Sequence, residues 1–427
     1  MSGPAAISGD GRSILLLGNY RPGLALARRF AEDGYRVIVG SEGCEGGCEH
    51  SRFVEEIWEQ SVGPDQGEAF VQSLAGFCAT RPELAAVFPV SEDYVRLLAR
   101  PEHQAALGDL PPLIMVAPAL VDACLDKLGM MTLAQKAGVP TAAFAQVDDP
   151  AAYTAALDRL GVPLVIRPAH SSNRIDGRKA VIVDDRSEAD ALTIDWATQK
   201  QGLILQRKAE GVRHNFYFAA YRGQLIRCLH AVITRTDRVD DTGLAVEGVT
   251  IAPDPGIRGQ TEALVAALDY HGIGCAQFLV DSTSGTTSFL EINPRIAGNH
   301  AVPDYAGLDL GGFLLDIGLG RTPDLTPVTG MAGIRYVWTS GDMLAAKESW
   351  LRGEISGAAA LLWLGRVVIA GIWANVHIVF SWSDPNPGLR ALWAVLPRLN
   401  RWQKPKDRAD KNWTEDAGPL AARRMQS

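Results

Sequence analysis

The sequence of 427 residues has little of what would assign it at a glance. Its six cysteines, at positions 44, 48, 78, 124, 228 and 275, are too few and too scattered for a disulfide framework, and are expected as reduced thiols of a cytoplasmic protein. It has no surplus of positive charge. Lys and Arg number 41 against 49 Asp and Glu, a net charge of −8, which excludes the overall basic footprint of a nucleic-acid binder. Residues 1–13 lack a charged stretch followed by an apolar one, so no secretory leader is expected. No internal repeat is visible. Cys44, Cys48 and His50 form a short C-x3-C-x-H cluster, but no second ligand pair at zinc spacing follows, so the segment reads as a loop. What remains is ordinary globular composition, 47% hydrophobic and 21% charged. That excludes a disordered chain, a coiled coil and a small disulfide scaffold, and supplies core for about three units of roughly 150 residues.

The pattern along the chain is that of an α/β protein. Ser13–Gly18 reads as an apolar strand and Asn19–Gly23 as a turn. Leu24–Asp33 reads as a helix stopped at Gly34, and Arg36–Val39 as a second strand. The glycine pair Gly18 and Gly23 is no P-loop, because no Lys-Ser/Thr follows, and a third glycine for a dinucleotide fingerprint is missing. The alternation continues with a helix over Phe70–Ala79, a strand over Ala86–Pro89 and a helix over Glu92–Ala99. A strand over Leu113–Val116 and one helix over Pro118–Ala137 follow. Beyond residue 160 the character changes. Strands are predicted over Leu164–Ile166, Ala180–Val183 and Leu203–Gln206, with a polar loop over Pro168–Gly177. A long strand-rich stretch, Phe216–Thr234, is broken at Arg222-Gly223.

The chemistry concentrates in Gly274–Arg295. Gly274–Asp281 alternates like a strand, Ser282–Gly285 is a turn, and Thr287–Glu291 returns. On such a hairpin Gln277 and Glu291 lie across from each other, and Asn293 continues on the same face. One carboxylate and two carboxamides then converge, with Arg295 just beyond. An oxygen-only set that leaves positions for water and phosphate suits Mg2+ better than Zn2+, and the planar fork of arginine suits phosphate. The alternative is a surface ion pair between Glu291 and Arg295.

Phe289-Leu-Glu-Ile-Asn-Pro-Arg295 resembles the signature near the end of the ATP-grasp fold, and the spacing from Gln277 to Glu291 resembles that of carbamoyl-phosphate synthase large subunits. Upstream, Asp126-Lys127 followed by Ala137-Gly-Val-Pro-Thr141, then Leu164-Val-Ile-Arg-Pro168, and then Glu247-Gly-Val-Thr-Ile-Ala-Pro253 resemble further family segments in the same order. The likeness spans about residues 14 to 315.

The resemblance implies an α/β pre-ATP-grasp domain over 1–115, and an α+β ATP-grasp domain over 116–325 with subdomains dividing near 200. A mainly helical, Trp-rich C-terminal region over 326–427 would complete the chain. It implies ATP and Mg2+ as cofactors, with Mn2+ an admissible substitute. Gln277, Glu291 and Asn293 would be the metal ligands, and Arg295 would contact the transferring phosphoryl group. Lys127 and Arg167 would clamp the α- and β-phosphates, with Arg167 also counted as catalytic. Ser171 and Ser172 in the phosphate loop, and Gln206, Arg207, Lys208 and Glu210 at the hinge, complete the nucleotide-binding set. The activity implied is ADP-forming carboxylate–amine ligation through an acyl phosphate, acting on small molecules, with a nucleotide-sensing or scaffold role as the alternative. A dinucleotide-dependent oxidoreductase built on the first domain is a further alternative.

Two departures from the family pattern stand out. The loop Pro168–Gly177 carries one glycine, and the places of the ribose-binding acids hold Arg207 and His214. Glu210 is a candidate substitute for one of those acids. His230 and the pair Asn299-His300 are further candidates for the substrate side.

Eight of the ten tryptophans lie at or after Trp338, and Ile355–Phe380 is mostly apolar with Arg366 inside it. Helices packed on the catalytic domain, peripheral membrane contact and a membrane span are the three readings of this end. The central arginine disfavours the span, and the residues after Trp402 are expected to be disordered.

Overall fold

The computed structural model describes residues 11–42, 46–104, 106–108, 110–169, 173–175, 180–199, 202–239 and 243–395. Ser171, Ser172, Cys44 and the tail after Trp402 lie outside the described residues.

The chain begins with β1 (Ser13–Leu17), β2 (Arg36–Ser41), β3 (Glu56–Glu59) and β4 (Leu84–Pro89), a parallel sheet in the order β3-β2-β1-β4. The strand β1 is SILLL and buried at every position, as a parallel strand covered on both faces requires. Leu15 and Leu17 pack with Phe70, Leu74 and Tyr94 of the helices on one face. Ile14 and Leu16 pack with Leu24, Leu26 and Phe30 of the helix Arg21–Glu32 on the other.

Of the strand expected over Leu113–Val116 only a bridge remains, Leu113 to Val87. The helix expected over Pro118–Ala137 is two, Pro118–Leu125 and Lys127–Lys136. Asp126 leaves helical geometry and caps the second, its carboxylate accepting from the Gly129 amide at 3.1 Å. Asp is as good a cap as it is a poor interior residue. The break places Lys127 in the first turn of the new helix.

A small antiparallel sheet follows: β5 (Phe144–Val147), β6 (Leu164–Pro168), β7 (Val181–Val183) and β8 (Leu203–Arg207), ordered β5-β8-β6-β7. Leu164, Ile166, Leu203 and Leu205 face a core with Tyr153 and Leu157 of the helix Pro150–Leu160. The alternate residues Val165, Arg167, Ile204 and Gln206 occupy the other face. Because β8 pairs with both β5 and β6, the change of sheet falls after Arg207 rather than near 200.

The large sheet is built from β9 (Val212–Tyr221), β10 (Gln224–Thr236), β11 (Ala245–Ile251), β12 (Gly272–Val280) and β13 (Thr287–Asn293). Three short strands complete it: β14 (Val328–Thr329), β15 (Arg335–Val337) and β16 (Val376–His377). The order is β13-β12-β9-β10-β11-β15-β16, with β14 beside β10. Arg222 and Gly223, the expected break, turn β9 into β10 with positive φ at both residues, as a tight hairpin does. Between the two sheets the chain passes Gly211, where φ is +134° and an added Cβ would lie 2.5 Å from the carbonyl of Val280. Only glycine fits there.

The C-terminal region adds three strands as well as helices. Its helices are Thr339–Leu351, Gly357–Trp373 and Pro385–Val395. Buried Asp342 accepts from the Arg235 guanidinium on β10 and from Trp363 Nε1 at 2.6 Å. Buried Asp384 accepts from Arg28 Nε at 3.0 Å, Ser51 Oγ at 2.7 Å and the Arg52 amide at 3.1 Å. The first carboxylate ties these helices to the large sheet, the second to the N-terminal domain. Among the described residues no helix is long and apolar enough to cross a membrane.

Candidate active site

The site forms on one face of the large sheet. Gln277 on β12 pairs with Glu291 on β13 and with Asn215 on β9, while Asn293 pairs with Cys275. The register slips between Gln277 and Phe278, leaving Leu290 as an extra residue on β13. This β-bulge reverses the phase of the strand, so that Phe289 packs into the core with Phe278 while Glu291, two residues on, faces the opposite side. The segment Ala137–Thr141 lies along the outside of β13, and Pro140 accepts the Phe289 amide at 2.8 Å. The bulged edge is thereby paired and fixed.

Gln277, Glu291, Asn293 and Arg295 line one cavity of about 250 Å3, together with Lys127, Arg213, Asn215, Asn299, Tyr20 and Arg21. Glu291 Oε1 accepts from Asn293 Nδ2 at 3.0 Å, and Glu291 Oε2 lies 3.9 Å from Lys127 Nζ. Arg295 is nearly buried and its Nη2 lies 3.6 Å from Glu92 Oε2. Burial opposes ionisation of Glu92, but Arg295, Arg96 and Lys127 outweigh it and hold the carboxyl below its ordinary range. The cavity wall therefore carries guanidinium and ammonium groups that are charged and held in place. Cys275 is also in the wall, but burial pushes its thiol up to about 12, so it is no nucleophile.

Arg167 sits on the free face of the small sheet, where its Nη2 donates to Gln206 Oε1 at 3.2 Å. Burial lowers its pKa, an effect that the charge of Glu291 opposes. The two sheets thus set Arg167 and Glu291 within electrostatic reach across the cleft. A carboxylate and two carboxamide side chains at the mouth of a cationic cavity match the oxygen preference of Mg2+. No cluster of metal-binding His, Cys, Asp and Glu occurs among the described residues.

The hinge and the opposite face of the sheet depart from expectation. Arg207 is one residue out of phase with Gln206, and its Nη1 donates to the carbonyls of Leu160 and Val162 at 2.9 and 3.3 Å. It braces the helix end and does not face the cleft. Lys208 makes an exposed ion pair with Asp184 at 3.5 Å, and Glu210 is exposed. His230 does not face the substrate side. It is buried on the far face, where its Nδ1 accepts the Asp254 amide at 3.2 Å and its Nε2 meets His214 Nδ1 at 2.9 Å. His300 is buried beside Asp304, at 3.3 Å, and is absent from the cavity wall.

The residues that the sequence reading missed are Arg213 and Asn215, which flank His214 and point the other way, and Arg21 from the turn after β1. Asn299 and Asn215 both donate to the Tyr217 hydroxyl, at 2.6 and 3.2 Å. The Asn215 carbonyl oxygen is buried with no hydrogen-bond partner, an acceptor in the wall of the cavity. Alternation from Gln277 across to β9 would have found the pair at 213 and 215. Nothing local marks Arg21.

A small antiparallel sheet facing a larger one, with the polar cluster at the edge of the larger, is the ATP-grasp fold. Comparison with known proteins agrees. Residues 252–325 match the family model for the carbamoyl-phosphate synthase L chain, ATP binding domain. Among curated proteins the chain is 22% identical over 392 residues to acetyl-CoA carboxylase 1 of Oryza sativa subsp. japonica; the match takes in 84% of this chain but only 16% of that protein. Among solved structures it is similar to the biotin carboxylase domain of Hydrogenobacter thermophilus 2-oxoglutarate carboxylase, in complex with MgADP, ADP and bicarbonate. The identity is 18%, the TM-score 0.58, and the coverage 74% of this chain and 72% of that one. It is similar also to N5-carboxyaminoimidazole ribonucleotide synthetase from Thermus thermophilus, with 22% identity, TM-score 0.54, and 75% and 81% coverage.

Proposed function

We propose that this chain is an ADP-forming ATP-grasp ligase that activates a carboxylate as an acyl phosphate and passes the acyl group to an amine. The observation that carries this reading is the convergence of Gln277, Glu291, Asn293, Arg295 and Lys127 on one cavity that also holds Arg213 and Arg21. The N-terminal sheet acts as the pre-ATP-grasp domain, supplying Tyr20 and Arg21 to the acceptor side. ATP would lie between the two sheets, where Arg167 and Lys127 would meet its phosphates. Gln277, Glu291 and Asn293 would hold Mg2+, which would supply charge neutralisation at the phosphates.

The step brings two anions together, so its barrier is dominated by charge that fixed groups must offset. Arg295, held by Glu92, points its fork at the transferring phosphoryl group. Arg213 and Arg21 hold the incoming carboxylate, whose oxygen attacks the γ-phosphorus as the bond to ADP breaks. The amine then forms the C–N bond and phosphate departs. The departing phosphate, a dianion, takes up the proton of the amine. The small volume favours a compact carboxylate. Bicarbonate, present in the complex of the Hydrogenobacter thermophilus carboxylase domain, is one such compact anion.

The test is ADP release by the full chain with Mg-ATP and a panel of carboxylates that includes bicarbonate, each with pooled amines. Stimulation by one carboxylate and amine pair supports the ligase. A second reading, nucleotide sensing, draws on the absence of a cleft-facing acid at Arg207. Tight MgADP binding with no stimulation by any pair selects it.

A further inference from the structure

The helix Gly357–Trp373 turns its apolar side outward. Leu361, Leu362, Val368, Ile369, Ile372 and Trp373 are each between 58% and 74% exposed. At 100° per residue they fall on one half of the helix, and Arg366 stands at the edge of that arc. The inward half is held by Trp363, whose indole is fixed on Asp342, and by buried Ala360 and Val367. The outward half is therefore an apolar strip about 18 Å long from Leu361 to Trp373, at 1.5 Å per residue. Exposed apolar surface of this extent marks an interaction site.

Three observations say what covers it. Tryptophans frame it: Trp350 lies against Gly357 at one end, Trp373 closes the other, and both are more than half exposed. Indoles at the limits of an apolar surface suit the boundary between hydrocarbon and headgroups. Arg366 and Arg335 stand at its edge around a cavity of about 400 Å3, which Glu247, 3.5 Å from Arg235, also lines. Finally, the charge of the chain is segregated. Residues 396–427 hold eight Lys and Arg against four Asp and Glu in a protein of net −8. They leave from Val395, whose carbonyl accepts from Lys347 at 3.3 Å, one turn before Trp350 on the same helix.

We infer that this face docks on an anionic phospholipid bilayer, with the helix Gly357–Trp373 lying in the interface plane and its basic surroundings against the headgroups. At 17 residues the helix lies on the membrane and does not span it. The reading is independent of the reaction in the cavity.

The test is flotation of the full chain with vesicles of phosphatidylcholine containing about one third phosphatidylglycerol, against vesicles of phosphatidylcholine alone. Binding is expected to the anionic vesicles, weakened about tenfold by raising salt from 0.05 to 0.5 M. The double substitution Leu361→Glu and Ile372→Glu, at exposed positions, lowers partition by about 100-fold while leaving the melting midpoint unchanged. Arg366→Glu, which keeps the apolar strip, weakens anionic binding alone. The proposal is overturned if the full chain stays unbound with anionic vesicles at low salt, whether sedimentation finds a monomer or a dimer that the double substitution splits. It is overturned equally if the double variant floats as well as the parent.

Discussion

The two faces of the large sheet carry the same strands and opposite chemistry. On one, Arg213, Asn215, Gln277, Glu291 and Asn293 open into a cavity. On the other, one residue out of phase, His214 and His230 sit among Phe216, Phe278 and the helix Pro255–Ala267. Polar residues occur on both sides, so polarity alone does not separate site from core. Satisfaction does. The histidines bond each other and the Asp254 amide, whereas the cavity side keeps an acceptor on Asn215 without a partner. The unpaired acceptor on Asn215 is open to a ligand because it lies in the cavity wall.

The sharpest way to break the comparison is Glu291→Gln. Loss of Mg-dependent ADP release by at least about a thousandfold is expected, with the thermal midpoint within about 2 °C of the parent; a collapsed midpoint would move Glu291 into the structural set. Next is Arg213→Ala, expected to lower kcat/KM for the carboxylate about 10- to 100-fold while MgADP affinity by calorimetry stays the same.

The far face predicts a pH effect in place of a kinetic one. Burial first, and then His214, lower His230 from 6.5 to about 4 against the opposing charge of Asp254. A base whose folded pKa lies below its unfolded value binds fewer protons folded than unfolded within that window. Stability is therefore intact above pH 6.5 and falls as pH drops towards 4, with a slope of up to about 1.4 kcal/mol per pH unit. His230→Gln, which keeps an acceptor for Asp254, should flatten that limb in melts across pH and leave turnover at pH 7.5 unchanged.

The smallest effect is at Gly298, where an added Cβ would lie 3.3 Å from Arg21 Nη2. Gly298→Ala should raise KM for the carboxylate only a few-fold, because the guanidinium can give way by tenths of an ångström.

How much of this was legible follows from where the information lies. Glu291, Asn293 and Gln277 are close in sequence on one hairpin, so alternation alone brings them together. The bulge at Leu290 was hidden, because the pattern Phe289-Leu-Glu-Ile-Asn reads as a regular strand either way. The strand-rich stretch was expected from Phe216, whereas β9 begins at Val212, so Arg213 and Asn215 fell outside it and only His214 drew notice. Arg207 failed because it is one residue out of phase with Gln206. Arg21 depends on how the first domain packs against the sheet, which no local pattern encodes. The break at Asp126 was readable as a cap, yet the apolar run around it suggested one helix.

The two anchoring carboxylates have a mechanical consequence. Asp342 and Asp384 rivet the C-terminal segment to the large sheet and to the N-terminal domain respectively, so these parts form a single jaw. The small sheet is the opposing jaw, and the chain leaves it through Gly211, whose backbone rests on Val280. The small sheet is therefore joined to the anchored part at two points, Gly211 on leaving and Thr141, bridged to Phe289, on entering.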